Sequence, residues 1–457
     1  MNEIFEPFEK SSEISFCDFN DCTISLEGAR RNQIVFYKNR NDQRSSEIFR
    51  SRLSCGRPGL LVLINRPSFE LSVPHIVVPE AEFLKVQRLT LKKLFELKRV
   101  PKLAAVTGTN GKTTTAFLLM QLLHQSGLKA GFAGTIGVYI NNKKIPHSFN
   151  TTSPGLIDLW KLVYENQDLD VLCLEASSHA LDQDRFFGFS LDVAAFTNFS
   201  RDHLDYHKSF EAYFDAKRKI FNYLKDSGEC FLTDLQIKVI DQLHDSRVKK
   251  VKLLSIDLEN IFFRIRYNLE NLTLAKEMSD CILGRHVKYD YKRLIPPPGR
   301  LDLISRGKDS FVAVDFAHTP DAVENVISEV RASFPEHGIK VVFGCGGNRD
   351  KKKRELMGEI VSGLSDFFYI TNDNPRDESP DEIIEDIKVG VIDNSSYVIE
   401  KDRRLAIISA IKSMGARQIV LILGKGHEDY QIAKGKKTYF NDKEIVLEYL
   451  KNDENKN

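Results

Sequence analysis

The segment Thr107-Gly-Thr-Asn-Gly-Lys-Thr-Thr-Thr115 stands between an apolar run, Leu103 to Val106, and a helix-forming run, Ala116 to His124. A short continuous apolar run is how a strand buried on both faces of a parallel sheet reads, and the loop at the carboxyl end of such a strand is where these sheets hold ligands. The order strand, glycine loop, helix therefore commits this part of the chain to a doubly wound α/β layer. Gly108 and Gly111, with Thr109 and Asn110 between them, let the backbone turn its N–H groups toward phosphate oxygens, and the following helix adds its positive end. Lys112 would reach the terminal phosphates and Thr113 would offer a hydroxyl to magnesium, with Thr114 beside it. The general phosphate-loop spacing asks for glycine at position 106, where the chain has Val106. The match is thus to a GTNGKTT variant, and the expected occupant is a nucleoside triphosphate.

Around this loop the chain changes texture twice. Residues up to about 88 mix short apolar runs, such as Gly59 to Ile64, with polar stretches and end in a β-like run at Ile76 to Val78, which reads as a small α/β domain. A charged helical pattern, Phe83 to Arg99, leads through Pro101 into the central block. There the strand candidates Val171 to Leu174 and Val193 to Phe196 alternate with helical segments at Leu156 to Tyr164 and Phe210 to Leu224. Three prolines at 296 to 298 followed by Gly299 break the pattern, and strands are expected beyond them at Phe311 to Val314, Lys340 to Phe343, Phe367 to Ile370 and Ile419 to Leu423. The expected architecture is α/β throughout, with domains over 1–90, 91–296 and 297–457.

The totals exclude several classes. With 65 basic and 64 acidic side chains in 457 residues, a net charge of +1 provides no general field for nucleic acid or an anionic membrane. The 7 cysteines form no CxxC pair, which argues against a disulfide framework or a structural zinc site and for a reducing compartment. The first residues lack the pattern of a signal peptide, and no apolar run approaches the ~20 residues that span a bilayer. A cytoplasmic enzyme is the expectation.

Magnesium on terminal phosphates needs hard oxygen ligands, which should come from the ends of neighbouring strands. Glu175 follows the run Val171 to Leu174 and opens Glu175-Ala-Ser-Ser-His-Ala180. After Val193 to Ala195 comes Phe196-Thr-Asn-Phe-Ser-Arg-Asp-His-Leu-Asp-Tyr-His207. The spacing of His203 and His207 would suit half a zinc site on a helix, but no HExxH glutamate accompanies them and Leu-Asp-Tyr between them argues for a loop. His207 reads equally as a surface or supporting histidine. Lys217, in the basic amphipathic helix Tyr213 to Phe221, reads by itself as one more solvated lysine.

Taken together, GTNGKTT, EASSHAL, TNFSRDHLDYH, YFDAKRKIF, VDFAHTPDAVENVI, FGCGGNRDKKKRELM, TNDNPRDESP and GKGHEDYQ resemble, in order and spacing, the motifs of the Mur ligases, and within them the MurE type. The resemblance covers about residues 100 to 445. It implies a central ATP-binding domain of the phosphate-loop type, a C-terminal Rossmann-like domain that brings the incoming amino acid, and an N-terminal domain that holds the UDP end of a UDP-muramoyl dipeptide. It implies Glu175 and His203 as magnesium ligands with Thr113, and a carbamate on Lys217, which would turn a repelling ammonium into two metal-facing oxygens. Asn150, Thr151, Thr152 and Ser153, with Ser177, Gln183 and Arg185, match the stretches that grip the muramoyl dipeptide. Asn271, and more weakly Asn268, match a nucleotide-contacting segment. Arg300, Asp315 and His318 resemble residues that meet ATP. The first 90 or so residues depart from the pattern, lacking the DSR-x-V-x-PG-type signature of a uridine-binding domain and offering Gly28-Ala-Arg-Arg-Asn-Gln-Ile-Val-Phe-Tyr37 instead.

The chemistry so implied is amide formation at a carboxylate that must first be activated. ATP would phosphorylate the side-chain carboxylate of D-glutamate, and an amine would displace phosphate from the acyl phosphate, with Lys112 and magnesium stabilising the developing charge. The added amino acid is expected to be meso-diaminopimelate, recognised by Asp373-Asn374-Pro375-Arg376 with Arg349, Gly424 and Glu428. An arginine fork suits its distal carboxylate and a glutamate its distal ammonium. Closure between domains and a monomeric state are also expected. Two rivals remain at this point: another ligase of the superfamily, MurF-like or folylpolyglutamate-type, and a binding protein that keeps the fold without turnover.

Overall fold

The computed structural model describes residues 1–147, 149, 151–200, 202–255, 261–306 and 309–454. Four sheets organise them. The first is five-stranded, in the order Glu9–Lys10, His75–Val77, Leu60–Leu63, Gln33–Tyr37, Asp21–Thr23. Its strands run parallel apart from the edge strand Glu9–Lys10. Leu60–Leu63 is buried at every position, as the continuous apolar run requires. Asp42 caps the helix Gln43–Ser54 by accepting from the backbone N–H of Ser45, and Phe49 turns that helix onto the sheet beside Val35, Leu61 and Leu63.

The second sheet has eight strands in the order Val248–Val251, Leu224–Thr233, Leu191–Phe196, Lys102–Thr107, Val171–Glu175, Ala130–Gly134, Gly137–Ile140, Lys143–Ile145. The phosphate-loop strand lies inside it, with Leu103 to Val106 wholly buried. The third sheet has the order Asp302–Ser305, Phe311–Asp315, Gln418–Leu423, Gly338–Phe343, Phe367–Ile370, Tyr397–Ile399, antiparallel only at the first pair. A hairpin, Tyr430–Ala433 with Lys436–Tyr439, completes the set. Spatially the chain falls into two compact units, one of residues 1–104, 128–192 and 215–228, the other of residues 105–127, 193–214 and 229–457.

Several expectations need correcting. The helix expected over Phe83 to Arg99 runs instead from Glu80 to Leu94, directly behind Pro79, whose fixed φ suits a helix start. The helix expected over Phe210 to Leu224 ends at Arg218, tightens into a 3₁₀ turn over Lys219–Asn222, and gives way to the strand Leu224–Thr233. The span between His203 and His207 is not a loop but one helical turn, Leu204–His207, entered through His203 at φ 51°. The hairpin strands Ala130–Gly134 and Gly137–Ile140 were not foreseen, because glycines at 131, 134 and 137 hide the strand pattern.

The C-terminal sheet is tied to its last helix by a buried ion pair. Arg403 and Asp442 are both 0% exposed, the guanidinium donating to the carboxylate at 2.8 and 2.7 Å and to the Leu423 carbonyl at 2.9 Å. Removing one partner leaves the other charge buried alone, which is the costly way to break such a pair. Asp442→Ala should therefore cost about 3 kcal/mol in a denaturant titration; a loss within experimental error would show that the pair is dispensable.

Candidate active site

The phosphate loop is built as its glycines require. Gly108 takes φ 138° and Gly111 φ 84°, the left-handed side that side chains avoid. Neighbours close both positions further: a Cβ on Gly108 would lie 1.9 Å from the Thr197 hydroxyl, and one on Gly111 2.4 Å from Asn271 Oδ1. Behind the loop the helix Lys112–Gln125 begins with Gly111 as its N-cap and no side-chain cap, and its positive end faces the loop. The segment after Leu191–Phe196 braces the loop. Asn198 accepts from Asn110 N–H and, through its carbonyl, from Thr109 N–H, both at 2.9 Å, while the Thr109 hydroxyl donates to the Ser200 carbonyl at 3.2 Å. Lys112 curls over its own loop, donating to the carbonyls of Gly108 at 3.0 Å and Thr109 at 2.7 Å. Thr113 and Thr114 are buried. Asn271 accepts from the Thr115 hydroxyl at 3.1 Å, whereas Asn268 turns to the Phe262 carbonyl at 3.0 Å, so of the two asparagines only Asn271 meets the loop region.

Glu175 ends its strand 1% exposed. One carboxylate oxygen accepts from Thr135 N–H at 2.7 Å and the other from the Thr135 hydroxyl at 3.1 Å. Gly134 is required here, since a Cβ on it would sit 2.1 Å from Glu175 Oε1. A buried carboxylate held by two donors is oriented as an outer partner orients a metal ligand. Thr135 carried no signal in the sequence, as it sits in the hairpin that the glycines concealed. His203 is exposed, its ring 3.4 Å from the Asp202 carboxylate. Lys217 is 1% exposed, which overturns its reading as a solvated helix lysine. Among the described residues no cluster of three or more His, Cys, Asp or Glu forms a ready-made metal cage. Magnesium ordinarily keeps water and phosphate oxygens and takes one or two protein carboxylates, so a lone oriented glutamate fits it better than it fits zinc.

Around the stretch expected to hold the dipeptide, the Ser153 hydroxyl donates to the Glu175 carbonyl at 2.6 Å and accepts from Ser177 N–H at 2.9 Å. Arg185 reaches the Ser153 carbonyl at 2.9 Å and Gln183 Oε1 at 2.8 Å, and Thr151 bonds the Ser153 carbonyl at 2.7 Å. Thr151, Ser153, Ser177, Gln183 and Arg185 thus form one network, with Thr152 half-buried between its neighbours. Asn150 lies outside the described residues.

In the C-terminal sheet, parallel strands bring four loops to one edge. Asp315 closes its strand buried, accepting from Leu301 N–H at 2.6 Å and Ala317 N–H at 2.7 Å; burial pushes its carboxyl up and the nearby Arg300 pulls it back. The Arg300 guanidinium lies over the Phe316 ring at 4.9 Å, and the exposed His318 turns Nδ1 to the Phe316 carbonyl at 2.8 Å. Gly299 packs against the GKGHE segment, where a Cβ would meet His427 N at 2.1 Å.

The loop Asp373 to Arg376 is seated on the hairpin. Arg376, at φ 53°, takes a backbone bond from its N–H to the Ile432 carbonyl at 2.9 Å, and its guanidinium donates to the Gly347 carbonyl at 2.9 Å. The same guanidinium and the stem of the exposed Arg349 both flank Gly346. Asn374 donates to Glu428 Oε2 at 3.0 Å, and a Cβ on Gly424 would lie 2.7 Å from Asp373 Oδ2. Pro375 places its carbonyl against Gly347, where a Cβ would come within 1.9 Å. The expected residues Arg349, Asp373, Asn374, Pro375, Arg376, Gly424 and Glu428 therefore lie together. Lys425, Tyr430 and Gln431 join them. Lys425 and Glu428 lie three apart in the sequence, but a lysine among exposed-looking residues gives no sign that it will be buried.

Comparison with known proteins adds an independent line. The Mur ligase middle domain matches residues 106–285, and the Mur ligase glutamate ligase domain matches residues 299–426. The UDP-N-acetylmuramoyl-L-alanyl-D-glutamate–2,6-diaminopimelate ligase 1 of Clostridium acetobutylicum is 38% identical over 380 residues, covering 77% of this chain and 78% of the relative. The ligase of the same activity from Chlamydia pneumoniae is 34% identical over 415 residues, covering 83% of this chain and 84% of the relative. A solved UDP-N-acetylmuramoyl-L-alanyl-D-glutamate–2,6-diaminopimelate ligase superposes with a TM-score of 0.58 at 26% identity, covering 99% of both chains. MurF ligase from Thermotoga maritima in complex with ADP shares the fold, with a TM-score of 0.60 at 15% identity, covering 97% of this chain and 100% of that one. With both domains matched in order and relatives of this identity aligned along most of its length, the chain belongs to the Mur ligase family.

Proposed function

We propose that this protein is an ATP-dependent amide ligase that joins meso-2,6-diaminopimelate to the D-glutamate side-chain carboxylate of UDP-N-acetylmuramoyl-L-alanyl-D-glutamate, in peptidoglycan synthesis. The observation that carries the reading is the loop edge of the C-terminal sheet, where two arginines and a glutamate converge beside a rigid DNPR turn. That set matches an amino-acid tail bearing both a carboxylate and an ammonium. Relatives named for this activity support it.

In this reading the chain is organised as three domains, 1–90, 91–296 and 297–457, for the UDP end, for ATP and for the incoming amino acid. ATP lies on Gly108 to Thr114, with Asn271, Arg300, Asp315 and His318 as further contacts. Lys112 leaves its two loop carbonyls for the terminal phosphates, where its charge grows in value as phosphoryl transfer proceeds. The D-glutamate carboxylate oxygen attacks the γ-phosphorus and ADP departs; the neutral amine of diaminopimelate then attacks the acyl carbon, and phosphate leaves with that oxygen. No protein nucleophile is needed.

Thr113, Glu175, His203 and a carbamate on Lys217 would hold magnesium, which when bound neutralises phosphate charge. Asn150, Thr151, Thr152, Ser153, Ser177, Gln183 and Arg185 bind the muramoyl dipeptide. For the UDP end, the loops after Asp21–Thr23 and Gln33–Tyr37 are favoured, because parallel sheets hold ligands at the carboxyl ends of their strands. The arginine-lined cavity of 720 Å³ at Arg31, Arg50 and Arg57 lies before the strands Gln33–Tyr37 and Leu60–Leu63, at their amino ends, and is the weaker choice.

Two measurements follow. With ¹⁸O in the D-glutamate carboxylate, one label should appear in the released phosphate for each amide formed; label retained entirely in the peptide rules out the acyl phosphate. Thr135→Val removes one of the donors that orient Glu175, so the magnesium concentration for half-maximal rate should rise about tenfold; an unchanged magnesium dependence would take Glu175 out of the metal site.

A further inference from the structure

Lys425 is 0% exposed, and its ammonium is fully committed. It donates to Glu428 Oε2 at 3.1 Å, to Asn374 Oδ1 at 3.4 Å and to the Tyr430 carbonyl, and lies 5.4 Å from the centre of the Tyr430 ring. An ammonium has three protons, and three oxygens take them, so none is left for a ligand. Whatever Lys425 does for the reaction it does through its neighbours. The chief of these is Glu428, whose Oε2 also accepts from Asn374 at 3.0 Å while Oε1 accepts from the Tyr430 hydroxyl at 3.4 Å. Glu428 keeps 18% of its side chain exposed, so it can still meet a ligand.

We propose that Lys425 is a positioning residue that sets the charge of the amino-acid site: by pairing with Glu428 it removes the attraction of a bare carboxylate for any ligand that carries only an ammonium. The proposal rests on the ligase reading above. Lys425 adds a buried cation to a site that already carries Arg349 and Arg376, and a ligand without a distal carboxylate leaves the arginines unanswered. Diaminopimelate answers them and lysine does not. Without Lys425 the site loses one positive charge, and Glu428 becomes a full-strength partner for the lysine ammonium. Specificity is then a matter of disfavouring the wrong ligand as well as of binding the right one. The same contacts fix the Glu428 rotamer and tie the DNPR turn, through Asn374, to the hairpin, where Asn374 Oδ1 also accepts from Ile432 N–H at 2.9 Å.

The test compares kcat/KM for meso-diaminopimelate and for L-lysine, using full-length enzyme with ATP, magnesium and the UDP-muramoyl dipeptide. Lys425→Met should lower the diaminopimelate-to-lysine ratio by about tenfold or more, through KM for the amino acid rather than kcat. A general structural defect would lower kcat for both amino acids and leave the ratio alone, which would overturn the proposal. The double variant Lys425→Met with Glu428→Gln carries no buried unpaired charge, so it serves even if Lys425→Met does not fold. Its ratio should equal that of Glu428→Gln alone, because the lysine has nothing left to neutralise; a further change of ratio on top of Glu428→Gln would contradict action through Glu428. Wild-type enzyme that does not use diaminopimelate would sink the ligase reading itself, whereas a diaminopimelate-specific wild type with an unaltered Lys425→Met ratio would sink only this proposal.

Discussion

Lys112→Ala abolishes ATP turnover and leaves the fold standing. The ammonium is the only cation in the loop Thr107 to Thr115, and at rest it is spent on two loop carbonyls, Gly108 and Thr109. Hydrogen bonds of this kind contribute only about 1 kcal/mol net each, so truncation leaves most of the stability in place. What is lost is a charge aimed at the oxygens on which negative charge builds during phosphoryl transfer, a class of contact worth about 10²–10³ in rate or more. Phosphate release should fall by at least about 10³-fold while the thermal midpoint moves by a few degrees at most. Retained turnover would remove the loop from the mechanism. A collapse in thermal stability would instead assign Lys112 a structural part.

Arg376→Ala has the second largest effect, on the choice of amino acid. Its backbone is anchored on the hairpin through Ile432 and Lys434, so the turn has reason to persist when the side chain is cut back. The guanidinium is half-buried, held by the Gly347 carbonyl, and only a planar fork can keep that contact and still offer two parallel donors to a carboxylate. A site built to bond a polar group rejects the analogue that lacks it far more strongly than an apolar pocket rejects a missing methylene. The expected loss of kcat/KM for meso-diaminopimelate is about 10³-fold, with the much lower activity on L-lysine nearly unchanged. Arg376→Lys should recover little, since an ammonium supplies charge without the fork. Equal losses on the two amino acids would detach Arg376 from distal-carboxylate recognition.

Much of this arrangement was legible in the residues because several of its parts have a single physical solution. A glycine loop between a buried strand and a helix can only sit at a carboxyl edge, and Gly108 and Gly111 do adopt the backbone that no other residue takes easily. The four C-terminal strands were readable as apolar runs, and the loops after them, carrying Asp315, Arg349, Arg376 and Glu428, necessarily share an edge once those strands are parallel. What stayed hidden depended on tertiary burial. Thr135 supports Glu175 from a glycine-rich hairpin with no strand signature, and Lys217 and Lys425 look like any surface lysine until packing excludes water from them. The helical turn at His207 follows from a left-handed residue at 203, a conformation sequence alone does not announce for histidine.

A one-pot competition decides the central claim most directly. The enzyme is given ATP, magnesium, UDP-N-acetylmuramoyl-L-alanyl-D-glutamate and equal concentrations of meso-diaminopimelate and L-lysine, and the tripeptide products are separated by mass. The diaminopimelate product should exceed the lysine product by about 10³-fold, with one phosphate released per amide formed. Comparable amounts of both products, or phosphate released without either, would contradict the account.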